Sequence, residues 1–429
     1  MKDTFKKIVV GILTLEAKIL IARKKPIIIA VTGSVGKTST KDTIYSVLKG
    51  RRYTRKSEKS FNSDIGVSLS VLGLQNGWNS PWLWFRNIVD GGVTAFFVRD
   101  YPEVLVLEMG VDRPGDMKKM TEWIKPDVVV LTRFPDVPVH VEYFFSPEQV
   151  VVEKMQLVQA LKADGVLIYN HDDALIKTAI EEVRQQAIGF SRYSPSHFSV
   201  TGDKTVYRDG KPAGVSFTLT YINEQVEISL DGMLGVQSMY TTAAAAAVGV
   251  HFGMTLADVA KALIDHAAVP GRMCIIAGKD DSVIIDDTYN SSPVAVEMAI
   301  QTLKELSVGG RKIAVLGDML ELGRFSVREH ERVGEQVASV VDMLITLGVR
   351  SHKIAEAALE HGLSEKVIWQ YDDVERAGEE LADKIKPGDV ILVKASQGIR
   401  AERVVKRLMA RPDEARELLI RQDDMWQVR

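Results

Sequence analysis

The stretch Pro26-Ile27-Ile28-Ile29-Ala30-Val31-Thr32-Gly33-Ser34-Val35-Gly36-Lys37-Thr38-Ser39-Thr40 decides how the chain is read. Its first half is an unbroken, largely β-branched apolar run, the pattern of a strand buried on both faces. Its second half turns through Gly33 and Gly36 into a helical pattern from Lys37 to Leu48. A strand, a glycine loop and a helix N-terminus in this order present backbone N–H groups to phosphate oxygens. Gly33, Ser34, Val35, Gly36, Lys37, Thr38 and Ser39 are therefore the candidate nucleotide-binding residues, with Lys37 to neutralise β/γ charge and the Thr38 hydroxyl to ligate Mg2+. The full Walker spacing is not met, because Val31 stands five residues before Gly36 where that motif has glycine.

Outward from the loop, residues 104–107 and 128–131 read as further buried strands, followed by helical stretches at 115–123 and 147–162. The first half is therefore α/β with a mainly parallel sheet. Between residues 188 and 234, short alternating runs at 198–201, 205–208, 215–221 and 225–230 are separated by turn residues and read as a small antiparallel insertion. An alanine-rich helix at 243–250 precedes a break at Pro270-Gly271. A second α/β series follows, with strands at 283–285, 312–316, 343–347, 367–369 and 389–393 and helices at 294–306, 327–341 and 400–409. The expected layout is an N-terminal amphipathic helix over 1–26, a central phosphate-loop domain over 27–270 and a C-terminal Rossmann-like α/β domain over 271–429.

With 429 residues, 46% hydrophobic and 26% charged, the chain can bury a real core in two or three domains. A formal net charge of -3 gives no global basic field, so nucleic acid is not an expected partner. Cys274 is the only cysteine, which excludes an intrachain disulfide and a cysteine metal site and fits a reducing cytoplasm. Residues 5–22 are mostly apolar between clusters of Lys and Arg, but Glu16 and Lys18 interrupt them and no small-residue cleavage site follows. A helix packed on the next domain is expected there, with peripheral contact to a membrane surface as the alternative. The aromatics Trp78, Trp82, Trp84, Phe85, Phe96 and Phe97 are expected to be core, with a contact surface as the alternative.

Polar residues that end apolar runs mark a crevice at the C-terminal edge of the sheet, where open α/β sheets bind ligands. Glu108 closes the strand at 104–107 and is a candidate Mg2+ ligand, although a lone strand-end glutamate is more often simply solvated. His140 follows the strand at 128–131 after a Pro-rich loop. Lys154 lies among Val150, Val151, Leu157 and Val158, an apolar setting for an ammonium whose plain reading is a snorkelling surface lysine. In the second half Arg272, Asp287, Asn290, Asp318 and Lys394 occupy equivalent positions.

Taken together these residues resemble the Mur ligase family, closest to its MurF type, from about residue 27 to residue 405. The likeness rests on the phosphate loop, Asn62-Ser63-Asp64-Ile65-Gly66-Val67, Glu108-Met109-Gly110, His140, Glu153-Lys154, Gly271-Arg272 and the runs at 285–293, 315–323 and 392–403. The resemblance implies an ATP-dependent, ADP-forming ligase that joins a carboxylate to an amine through an acyl phosphate. In the MurF type the substrates are a UDP-muramoyl-tripeptide and D-alanyl-D-alanine, and the pathway is peptidoglycan biosynthesis for the cell wall. It implies catalytic roles for Lys37, Lys154, His140 and Arg272, and Mg2+ binding by Thr38, Glu108, His140 and a carbamate formed on Lys154. It further implies ribose contact by Asp287 and a place for Asn290 near the nucleotide. A monomer is expected.

Two departures stand out. The family carries Gly-x-His-Asn-x-x-Asn toward the adenine, where this chain has Gly235-Val236-Gln237-Ser238-Met239-Tyr240-Thr241. Adenine contacts are expected to differ, with Gln237 and Ser238 able to hydrogen-bond a base. The MurF type also has a UDP-binding domain ahead of the nucleotide strand, where about 26 residues stand here. The sugar nucleotide is then expected on other surfaces, or another head group replaces it. The alternatives are a Mur-family ligase with pseudomurein-like or polyglutamate-like substrates, a P-loop kinase or NTPase, and a nucleotide-dependent scaffold at a membrane surface.

Overall fold

Two sheets organise the molecule. This computed structural model describes residues 2–58, 60–423 and 426, with the backbone alone for residues 2–5, so the side chains of Lys2 and Phe5 lie outside the described residues. The first sheet contains β1 (Ile27–Thr32), β2 (Thr54–Lys56), β3 (Val104–Glu108), β4 (Val128–Leu131), β5 (Val166–Asn170), β6 (Gln186–Ser191), β7 (Phe198–Arg208), β8 (Lys211–Tyr221) and β9 (Glu224–Asp231). Their order is β2-β3-β1-β4-β5-β6-β7-β8-β9. Strands β2 to β6 pair in parallel with β1 at their centre, and β8 runs antiparallel to both of its neighbours, β7 and β9. The antiparallel residues therefore continue the parallel sheet through the β6–β7 pairing rather than standing apart from it. The two runs at 198–201 and 205–208 form one strand with a register shift between Thr201 and Lys204, next to Gly202 at φ +66°.

Because β1 is apolar on both faces, its residues alternate between two cores. Ile29 and Val31 join Ile44 and Val47 of helix α2 (Lys37–Leu48) on one face. Ile28 and Ala30 join the other face, which is covered by α1 (Lys2–Lys24), α3 (Asp64–Leu72), α4 (Pro81–Phe97), α5 (Asp116–Thr121) and α6 (Pro147–Gln159). Helix α1 inserts Val9, Leu13, Ala17 and Leu20 into that core. Burying each of the larger of these contributes about 1.5–3 kcal/mol, which fixes α1 to the sheet and bears out a helix packed on the neighbouring α/β layer.

The aromatic run differs from its expectation. Trp84 packs against the core, but Trp82, Phe85, Phe96 and Phe97 of α4 are exposed. The helical period is the reason: Asn87, Gly91 and Ala95 face inward, so residues displaced from them by roughly half a turn face out.

The second sheet orders as β10-β11-β15-β12-β13-β14, with β10 (Cys274–Ala277), β11 (Val283–Asp287), β12 (Lys312–Gly317), β13 (Met343–Leu347), β14 (Ile368–Tyr371) and β15 (Val390–Lys394). All pairings are parallel except β10 with β11. In each sheet successive strands lie on opposite sides of a central one: β3 and β4 flank β1, and β11 and β12 flank β15. Such switch points open a crevice at the strand C-termini, and the two crevices face each other.

Candidate active site

The phosphate loop leaves β1 at that switch point. Gly36 caps α2 at φ +84°, a left-handed conformation that glycine adopts without strain, and a side chain there would also collide with the amide of Gln237. The Ser34 amide donates to the Arg133 carbonyl at 2.7 Å, which ties the loop to the residues after β4. Lys37 opens α2. Its pKa lies below the ordinary lysine value, chiefly through burial and partly through Arg272, with Glu108 opposing.

A cavity of about 680 Å³ lies over the loop. Its walls include Lys37, Thr38, Glu108 and His140 from the first sheet region and Arg272 and Asn290 from the second. Arg272 donates to the Thr38 hydroxyl at 3.4 Å and lies over the Tyr289 ring at 4.0 Å. This guanidinium from beyond residue 270 therefore touches the helix that carries the loop, so the halves are closed on each other. Trp78, which precedes α4, meets Trp426 edge to face at 5.4 Å, and Trp426 lines the same cavity.

Glu108 is 1% exposed at the end of β3. Its Oε1 accepts from Asn62 at 3.1 Å, whereas Oε2 is buried without a hydrogen-bond partner among the described residues. An unpaired buried carboxylate oxygen is costly, and a cation in the cavity would satisfy it. Beside it, the Thr38 hydroxyl meets Ser60 Oγ at 3.1 Å. The described residues contain no group of three or more His, Cys, Asp or Glu able to hold a metal. Glu108 and Thr38 thus fit Mg2+ only if phosphate oxygens and water complete the shell, as is usual for this ion.

His140 adopts φ +70° and places Nδ1 2.6 Å from Oε2 of Glu321 and Nε2 3.5 Å from Asp112. Glu321 belongs to the loop after β12, so this contact also crosses between the halves. Lys154 does not line the cavity. From α6 it reaches beneath the loop, where Nζ donates to the Gly33 carbonyl at 2.9 Å and to Ser34 Oγ at 2.8 Å. Burial, then the nearby Lys37 charge, hold its ammonium well below the ordinary lysine value.

Behind the loop a second, narrower slot is lined by Val35, Gly36, Ser39, Gln237, Ser238 and Thr241, with Asp287 at the side of the second half. His266 stands in this slot between Thr43 Oγ1 at 3.4 Å and Ser46 Oγ at 3.0 Å, its pKa lowered by burial. Asp287 pairs with Lys394 at 2.6 Å, both buried, and Lys394 also donates to the Asn290 carbonyl at 3.0 Å. Asn290 therefore lies on the phosphate side rather than in the slot. The roles of Glu321, Asp112, Ser60 and His266 were not read from the sequence, since each depends on a contact across at least 22 residues.

The match to known families agrees with this geometry. Residues 31–249 match the Mur ligase middle domain, and residues 271–397 match the Mur ligase glutamate ligase domain. The chain belongs to the Mur ligase family. Among its relatives, the UDP-N-acetylmuramoyl-tripeptide--D-alanyl-D-alanine ligase of Bacillus subtilis is 31% identical over 390 residues, covering 90% of this chain and 76% of the relative. The crystal structure of the MurF ligase from Thermotoga maritima in complex with ADP superimposes with a TM-score of 0.74 at 27% identity, covering 93% of this chain and 83% of that one. A pseudomurein peptide ligase type C from Methanothermus fervidus shares the fold, with a TM-score of 0.65 at 15% identity. No helix among the described residues is long and apolar enough to cross a membrane.

Proposed function

We propose that this Mur ligase joins a UDP-muramoyl-tripeptide carboxylate to the amine of D-alanyl-D-alanine, converting ATP to ADP and phosphate, in peptidoglycan synthesis. The single observation that carries the reading is the shared cavity in which Lys37, Thr38 and Glu108 meet Arg272 from the other half. The relatives' substrates support the choice of acceptor and amine.

In the first step a carboxylate oxygen of the tripeptide attacks the γ-phosphorus, an O–P bond forms, and the bond to the ADP oxygen breaks. Lys37 and Arg272 neutralise the charge spread over the transferring phosphoryl group. In the second step the dipeptide nitrogen attacks the acyl carbon, and phosphate leaves with the carboxylate's former oxygen while the amine loses a proton. Closure of the halves through Arg272–Thr38 and His140–Glu321 keeps water from the acyl phosphate. Mg2+, held by Thr38 and Glu108, would supply charge neutralisation at the phosphates. We assign His140 to the edge of the same charged region, Asp287 to the ribose and Gln237 to the base.

The Lys154 amine suits carbamylation. It would attack carbon dioxide, form an N–C bond and lose a proton, and the resulting carbamate would place a negative charge next to Lys37. We further propose a monomer cut near residue 270 into the helix at 1–26, the central domain at 27–270 and the C-terminal domain at 271–429. A cytoplasmic location fits the use of ATP and the single free cysteine, Cys274.

The test is phosphate release from ATP and Mg2+ with D-alanyl-D-alanine, with and without UDP-N-acetylmuramoyl-tripeptide, while ligated product is followed by mass. Release and product that need both substrates support the assignment. Product only with another carboxylate and amine moves the protein to another pathway, and release needing neither acceptor makes it an NTPase.

A further inference from the structure

Helix α4 covers the core with one face and leaves the other bare. Outward stand Trp82, Phe85, Val89, Val93, Phe96 and Phe97, each between 49% and 75% exposed. At the helical period they fall in an arc of about 120° along the whole helix. Arg86 alone interrupts the arc with a charge, and its partner Asp90 sits at the margin, 3.2 Å away. Trp82 and Phe85 stack at one end with centroids 5.7 Å apart. Soluble surfaces rarely carry such a continuous apolar stripe without a partner.

The neighbouring helix α1 is bound to α4 by Arg23, which donates to the Ala95 carbonyl, and by Glu16, which lies against Gly91. It adds exposed Ile8 and Leu15. Charge discriminates between occupants. Residues 6–25 and 81–100 together hold eight Lys and Arg (Lys6, Lys7, Lys18, Arg23, Lys24, Lys25, Arg86 and Arg99) against three acids (Glu16, Asp90 and Asp100), in a chain whose net charge is -3. A second copy docking symmetrically would bring this basic patch against itself. Anionic lipid headgroups complement it, and Trp and Phe on a basic helix surface suit the headgroup–acyl boundary.

We infer that the outward face of α4, flanked by α1, is a binding surface for an anionic bilayer, with α4 lying in the membrane plane. The helix is too short and too interrupted by Gly91 and Gly92 to span, in keeping with the absence of a spanning helix among the described residues. The stripe enters the headgroup region while the basic residues stay at its rim. Trp78, just ahead of α4, touches Trp426 on the cavity wall, so the bound face lies next to the reaction cavity.

The test uses the full chain with sedimenting vesicles of phosphatidylcholine alone or with roughly a third phosphatidylglycerol, at low and high salt. The expected result is pelleting with the anionic vesicles, weakened by salt, and an about tenfold lower partition for the double variant Trp82→Ser, Phe96→Ser. Unchanged circular dichroism and ATP hydrolysis of the variant would show that its fold and chemistry persist. A protein that stays in the supernatant with anionic vesicles overturns the proposal, as does equal pelleting of the double variant. A dimer in sedimentation equilibrium without lipid that the double variant dissolves would assign the face to a second copy instead.

Discussion

His140 and Glu321 clasp the two halves of the molecule: the imidazole Nδ1 lies 2.6 Å from the carboxylate, over the cavity that holds the phosphate loop. The close approach of the His140 ring is the main reason the Glu321 carboxyl sits below the usual carboxylate range. Both side chains are partly exposed, so the pair is worth only about 1 kcal/mol. Glu321→Gln should lower kcat/KM about fivefold while leaving the melting temperature nearly unchanged. Steady-state kinetics with calorimetry checks this, and a large loss of stability without a kinetic effect would make the contact merely structural.

Lys154 should be essential to turnover and not to nucleotide binding. Lys154→Ala is expected to reduce kcat by about 10²–10³-fold with a much smaller change in the affinity for ADP. Because burial holds the amine well below its ordinary pKa, wild-type protein should take up ¹³C-bicarbonate at neutral pH. The carbamate carbon would appear in the NMR spectrum and be absent from the variant. Full turnover of Lys154→Ala refutes the assignment.

Glu108→Gln should lower activity without lowering stability. Removing a buried, half-unpaired charge relieves a desolvation cost, so the melting temperature in Mg2+-free buffer should hold or rise. Turnover should fall by about 10²-fold, with a higher Mg2+ requirement. A variant with normal Mg2+ dependence would separate Glu108 from the metal.

Glu16 makes the α1–α4 packing sensitive to pH. Burial raises its carboxyl to about 7 from a reference value of 4.5. The folded state then holds the proton more tightly than the unfolded state, so the contribution is complete below about pH 4.5 and lost as pH rises through about 7. Thermal unfolding should show stability falling across that window, and Glu16→Gln should flatten the fall. Identical slopes in both proteins would contradict this.

The central part of the fold was legible because β1 and α2 announce themselves locally: an apolar run, two glycines and a helix start lie within 22 consecutive residues at 27–48. Glu108 could be placed in the crevice because it ends a strand beside the switch point, and Arg272 because it stands at the junction of the two α/β series. The clasp partner Glu321 could not, because its loop meets His140 only after two separate sheets have folded and closed. The aromatics of α4 were misplaced because composition favours burial of Trp and Phe, whereas phase along the helix decides it, and the inward positions Asn87, Gly91 and Ala95 are the less conspicuous residues. The short β2 was hidden for a related reason: Thr54, Arg55 and Lys56 have no apolar run, and their strand exists through its pairing with β3.

The meeting of Trp78 and Trp426 at 83° gives the protein an optical ruler. Two indoles this near couple their excited states, and one belongs to each half of the chain. Their exciton signal in circular dichroism should be present when the halves are shut and vanish when they part. Any parting of the halves can thus be timed with the unlabelled protein in a stopped-flow cell.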